Sequence, residues 1–239
     1  MDLSEFQVRN LRFGAAVSLL LAVITVITFG FAMMAVPPSG PYCVSDCMKY
    51  PYNGLLNYYP RDYYWMYLAI FQLFAFVLFL VTNHHLTSAE NRLFSSLSLA
   101  FGMIAATVLL IAYFTQFSVV PVSVMKGETD GIALITQYND HGLFIALEEL
   151  GYICMAVSLF FLAYVFQGKG NLVLILKLML KWQLLVNLIA FIFYAFHYGI
   201  HRSYRFEVAT ISINWLVLIA AGILTAVYYR KRTFDLTTK

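Results

Sequence analysis

The sequence predicts an all-α membrane bundle of six transmembrane helices with both termini cytoplasmic. Three observations predict it. Of the 239 residues, 62% are hydrophobic and only 11% are charged, whereas a soluble globular chain carries roughly 25% charged residues. A chain this short cannot hide so much apolar surface in its own core, so lipid must be the solvent for much of it. The apolar residues form six continuous runs, each close to the ~20 residues that cross a bilayer at ~1.5 Å per residue. Barrel strands would alternate instead. The Lys and Arg residues divide unequally between the two sides these runs define.

The first span covers residues 13–36 and stops at Pro37-Pro38. Arg9 and Arg12 precede it, as in a signal peptide, but its apolar run exceeds the usual ~7–15 residues and no A-x-A site follows. An uncleaved helix is expected. The second span, 64–81, ends in Thr82-Asn83-His84-His85, and the third, 93–119, stops at Pro121. The fourth, 143–166, lies between Asp140-His141-Gly142 and Gly168-Lys169-Gly170. The fifth, 172–200, contains Lys177 and Lys181 one turn apart. Either a long tilted helix lets them snorkel to the surface, or residues 172–180 lie in the interface and the crossing begins near Trp182. The sixth, 208–229, ends at Arg230-Lys231-Arg232. Residues 1–239 form a single integral membrane domain. The longest polar connection, about 27 residues, is too short for an independent core without staples.

Arg9, Arg12, Arg92, Lys169, Lys177, Lys181, Arg230, Lys231, Arg232 and Lys239 fall on the side of the termini. Lys49, Arg61, Lys126, Arg202 and Arg205 fall on the other. The richer side is expected in the cytoplasm, and the protein in the cell membrane. The net charge of +3 is too small and too spread out for nucleic acid.

Cys43 and Cys47 fall in the first outer loop, an oxidising space in this topology. A structural disulfide is favoured over free thiols. Metal binding lacks a neighbouring His or further Cys, and redox chemistry usually uses Cys-x-x-Cys. Tyr50, Tyr52, Tyr58, Tyr59, Tyr63, Tyr64 and Trp65 follow, as an interfacial belt or as an aromatic lid over an outward cavity. Gly127-Glu128-Thr129-Asp130-Gly131 is turn chemistry, and residues 132–138 suit the membrane surface.

The most informative pair is Glu148 and Glu149. An ionisable residue inside a span marks a candidate site by default. Both lie about 8 Å below the outer start of their helix, and they point about 100° apart, so only one can face the bundle. Glu148 is the expected inward one, because Tyr152 at i+4 extends its polar stripe. His197 and His201, read as one face of the fifth helix, join the same outer layer with Arg202, Gln116, Tyr113 and Asn214. The binding residues expected are therefore Glu148, Glu149, His197, Tyr152, Gln116 and His201.

Three readings compete. A proton- or cation-coupled binding or transport site would use a Glu as its charge. A metal-dependent intramembrane enzyme would use His197, His201 and Glu148, but no third ligand stands in sequence context. A structural subunit would use a protonated or paired Glu only to fix packing. Bis-His haem needs histidines at matched depth. His141 and His197 share the outer side, but only one of them lies well inside a span, so no cofactor is expected. The partners expected are the bilayer and a small molecule or cation. No phosphate loop, Gly-x-Ser-x-Gly or His-Glu-x-x-His is present, and no Asn-x-Ser/Thr acceptor. Gly14-Ala15-Ala16, Ala105-Ala106 and Ala220-Ala221-Gly222 are small enough to let helices approach closely.

The stretch Gly127-Glu128-Thr129-Asp130-Gly131, with Gln137-Tyr138-Asn139-Asp140-His141-Gly142 and Ala146-Leu147-Glu148-Glu149-Leu150-Gly151-Tyr152, resembles a class of prokaryotic multi-pass membrane proteins. The resemblance covers about a tenth of the chain. It implies an integral membrane protein and no particular reaction.

Overall fold

The computed structural model describes residues 3–35 and 38–238. Its helices are α1 (Leu3–Met34), α2 (Tyr64–His85), α3 (Arg92–Ser118), the short α4 (Val120–Met125) and α5 (Ile132–Ile135), α6 (Leu143–Leu162), α7 (Asn171–Tyr198) and α8 (Arg205–Thr237). No strand occurs among the described residues. Six helices, α1, α2, α3, α6, α7 and α8, are long and apolar enough to cross a membrane.

These six pack as a ring in chain order, with α8 closing back onto α1 and α6 also touching α8. Successive long helices run in opposite directions, so both described ends of the chain lie on one face, the termini face. The connections at 38–63, 119–142 and 199–204 lie on the other, the loop face.

Several boundaries differ from expectation, each for a local reason. Helix α1 begins ten residues early, at Leu3; the expected end at Val36 and Pro37 lies outside the described residues. Helix α3 yields to α4 at Val119, with Pro121 in the first turn of α4, where its missing N–H costs nothing. Helix α6 stops at Leu162, and tight i→i+3 bonds carry the chain through Ala163, Tyr164 and Val165. Helix α7 is one continuous helix, with the Lys181 ammonium 4.2 Å from the Tyr164 ring centroid. Helix α8 starts at Arg205 rather than at 208, which puts Glu207 in its first turn.

Buried polar contacts fasten neighbouring helices, the kind of contact that holds helices together where lipid tails would offer no hydrophobic gain. Between α3 and α6, Ser158 Oγ donates to Ser98 O at 2.6 Å. Between α6 and α7, Gln183 donates to Ala156 O at 2.7 Å. Between α7 and α8, Thr210 donates to Asn187 Oδ1 at 2.6 Å. Tyr229 of α8 reaches Asn83 of α2 at 2.8 Å, and Gln72 of α2 reaches Thr25 of α1 at 3.2 Å.

The loop face carries an ordered roof. Tyr204 Oη donates to Ser39 O at 2.7 Å and accepts from Tyr42 N at 3.3 Å. Burial pushes this phenol up to about 12, so it remains a donor at neutral pH. Gln116 spends both ends of its amide on the connection after α5, donating to Ile135 O at 2.6 Å and accepting from Gln137 N at 2.8 Å. Residues 132–138 are consequently tucked inward, with Ile132, Thr136 and Tyr138 buried. The Cys43 and Cys47 sulfurs lie at disulfide distance in the exposed part of this roof.

Helices α1 and α8 approach closely at Gly222. A Cβ there would lie 2.6 Å from Ser18 O and 2.9 Å from Ala22 Cβ. A main-chain oxygen cannot swing aside, so Gly222→Ala must push the two helices apart. We expect a loss of about 1–3 kcal/mol, read as a lower melting temperature of the purified protein. An unchanged melting temperature would contradict this packing.

Candidate functional site

A cavity of about 210 Å³ opens at the loop face, between α1, the start of α2, the start of α6 and the start of α8. Its wall includes six aromatic residues, Phe29, Trp65, Tyr138, Phe144, Tyr204 and Trp215, and three acids, Asp62, Glu148 and Glu207. Trp215 is fully buried and packs edge-on against Phe29 (centroids 5.6 Å apart) and Trp65 (6.1 Å).

Glu148 points into the bundle and is wholly buried. Glu207 of α8 and Tyr113 of α3 adjoin its carboxyl group. Neither Glu148 oxygen, however, has a donor in hydrogen-bonding geometry. Tyr113 Oη is engaged with Tyr152 Oη at 2.8 Å. Gln137 Nε2 and Tyr138 Oη, from the cavity wall, lie beside the buried Tyr63 hydroxyl, and Trp215 Nε1 lies beside that of Tyr152, each short of ideal hydrogen-bond geometry. Buried polar atoms in folded proteins are nearly always hydrogen-bonded. These wall groups can pair with their neighbours, so the group left for a bound molecule is the Glu148 carboxyl.

Glu149 has a different environment. It faces the seam toward α7 and α8, where Arg202 Nη2 donates to its Oε2 at 2.5 Å. The Glu149 side chain is 9% exposed and that of Arg202 27%. Asp62 is likewise held by Arg61 Nε at 2.8 Å. The two carboxyl groups without a basic neighbour are therefore Glu148 and Glu207.

The structure brings Glu148, Tyr152 and Tyr113 together. Gln116 shares their depth, but its amide is fully used on the roof. Asn214 belongs to a separate buried network with Thr210 and Asn187. His197 and His201 stand apart from the cavity and are both exposed. His197 stacks on Phe193 with ring centroids 5.5 Å apart. Helix α7 ends at Tyr198, and Gly199 turns the chain at φ +54. The expectation that His197 and His201 share one helix face is thereby corrected, because i, i+4 spacing aligns side chains only while the helix continues. The metal alternative of His197, His201 and Glu148 is not assembled. Among the described residues, no group of three or more His, Cys, Asp or Glu could hold a metal ion. His141 pairs with Asp140 at 2.9 Å.

Sequence reasoning missed Glu207, Asp62 and Trp215. Glu207 stood one residue outside the expected apolar run. The signal was available: an acid in the first turn of a helix is favoured by the helix dipole, and Phe206-Glu207 could have been read as that turn. Comparison of the chain with protein-family models, curated proteins and solved structures found no match. The site is therefore read from its own chemistry.

The contrast between the two neighbouring glutamates is measurable. Glu149→Gln leaves the Arg202 guanidinium without its carboxylate and should cost about 1–3 kcal/mol, the range for a charged hydrogen bond. Glu148→Gln loses no such partner and should cost less. Arg202→Gln should destabilise like Glu149→Gln, and the double variant by less than the two together. Additive losses in thermal unfolding would contradict the pairing.

Proposed function

We propose that this is a multi-pass membrane protein, with both termini in the cytoplasm and its connections at 38–63, 119–142 and 199–204 outside. It binds a small molecule or cation in the outer-half cavity around Glu148. One observation carries the binding reading. Glu148 is completely buried, lines a cavity and meets there only a second acid, Glu207, and the Tyr113 hydroxyl, with no basic side chain beside it. A carboxyl group that served only to fasten helices would be matched by a cation, as Glu149 is by Arg202.

Orientation follows from the excess of Lys and Arg on the termini face, the side retained in the cytoplasm. On the termini side of Tyr113 and Tyr152, Phe76, Phe79, Leu109, Met155 and Leu159 form a packed apolar layer. The cavity is therefore closed at that end, and binding from outside is the step this conformation supports. Transport would require a second conformation in which that apolar layer opens.

Ser212 lines the cavity and provides a test. With Cys154 changed to Ala, the cysteine introduced by Ser212→Cys should react with a membrane-impermeant thiol reagent added to intact cells. Labelling only after permeabilisation would overturn the orientation. No labelling in either case would overturn an open cavity.

A further inference from the structure

The charges around the cavity indicate what it holds. Asp62 is matched by Arg61 and Glu149 by Arg202. Glu148 and Glu207 adjoin each other, and the wall contains no Lys, Arg or His among the described residues. Ionised carboxylates only accept hydrogen bonds, so two in contact need a proton between them. The pair then carries a single negative charge, which suits a monovalent cation.

The walls favour an organic cation over a bare ion. A transition-metal or divalent ion would need several side-chain ligands in one shell, and among the described residues no group of three or more His, Cys, Asp or Glu could supply them. Trp65 and Trp215 present aromatic surface to the same space, and aromatic faces attract ammonium groups. On the α1–α8 side the wall ends in Met33 and Val208, which are 73% and 41% exposed on the outer flank of the bundle. In the proposed arrangement that flank lies against lipid. The cavity thus grades from an acidic floor to an apolar edge.

We infer that the cavity takes an amphipathic organic monoamine, its ammonium at Glu148 and Glu207 and its apolar body along Trp215 and the α1–α8 seam. This rests on the cavity-binding reading above. The volume of about 210 Å³ suits a single-ring or short-chain amine.

The test uses the full chain in lipid nanodiscs with Trp182→Phe, which leaves Trp65 and Trp215 as the emitters. Phenethylamine and its neutral isostere phenethyl alcohol are titrated against tryptophan emission. The amine should saturate the signal and bind about tenfold or more tightly than the alcohol, as expected for a charge-assisted contact. Glu207→Gln should abolish that preference and leave the weak alcohol binding. Glu148→Gln serves as the second variant, with melting temperature monitoring the fold of both. Ile211→Phe, which narrows the cavity without adding an emitter, should weaken both responses at least tenfold. Equal affinity for alcohol and amine, both weakened in Ile211→Phe, would overturn the amine class and leave the cavity reading standing. Responses that Ile211→Phe leaves unchanged come from the lipid and would overturn both. No saturable response to phenethylamine would overturn the amine class, while cysteine labelling at position 212 judges the cavity separately.

Discussion

A carboxyl group held out of water with no cation beside it is the constraint around which the loop-face half of this bundle is arranged. Glu148 can occupy its position only because three helices bring polar groups to its depth. Helix α6 supplies Tyr152 one turn away, α3 supplies Tyr113, and α8 crosses to meet α6 and supplies Glu207. The approach of α3 and α6 depends on small residues. A Cβ at Gly151 would stand 2.5 Å from Leu109 Cγ, so a larger residue would separate the helices that carry the two tyrosines. Packing in one layer therefore sets electrostatics in the next.

The roof and the bundle are stabilised by different means. Within the bundle, single hydrogen bonds fasten neighbouring helices at Ser98–Ser158, Gln183–Ala156 and Asn187–Thr210. At the loop face, Tyr204 ties the first connection to the start of α8, and Gln116 ties the second to the end of α3. Gly40 makes the first tie possible. Its φ of +66 favours glycine, and a side chain there would strike the Tyr204 ring and Asp140. The roof is thus anchored to α3 and to the start of α8, and leaves the α1–α8 side of the cavity open.

The helices were legible because their signal is cumulative: some twenty apolar residues in a row outweigh any local ambiguity. Glu148 and Glu149 were legible because a charge stands out against such a run. Glu207 was not, because the same rule places the edge of a span where the apolar run begins, and Glu207 sits one residue before Val208. His197 and His201 misled for the opposite reason. Their spacing promised a shared face, but Gly199 ends the helix between them, and sequence spacing carries no record of that turn. Gln116 was placed at the correct depth, yet depth cannot tell whether an amide faces a cavity or holds a loop. Trp215 lay within an apolar run and read as ordinary span.

The central claim is that Glu148 and Glu207 share one proton at the floor of the cavity. Infrared spectroscopy of the protein in lipid, comparing the unmodified chain with Glu148→Gln and Glu207→Gln, tests it most directly. The account predicts a protonated-carboxyl band in the unmodified protein that either single substitution removes or shifts. A spectrum without such a band, or with one that both substitutions leave unchanged, would contradict it.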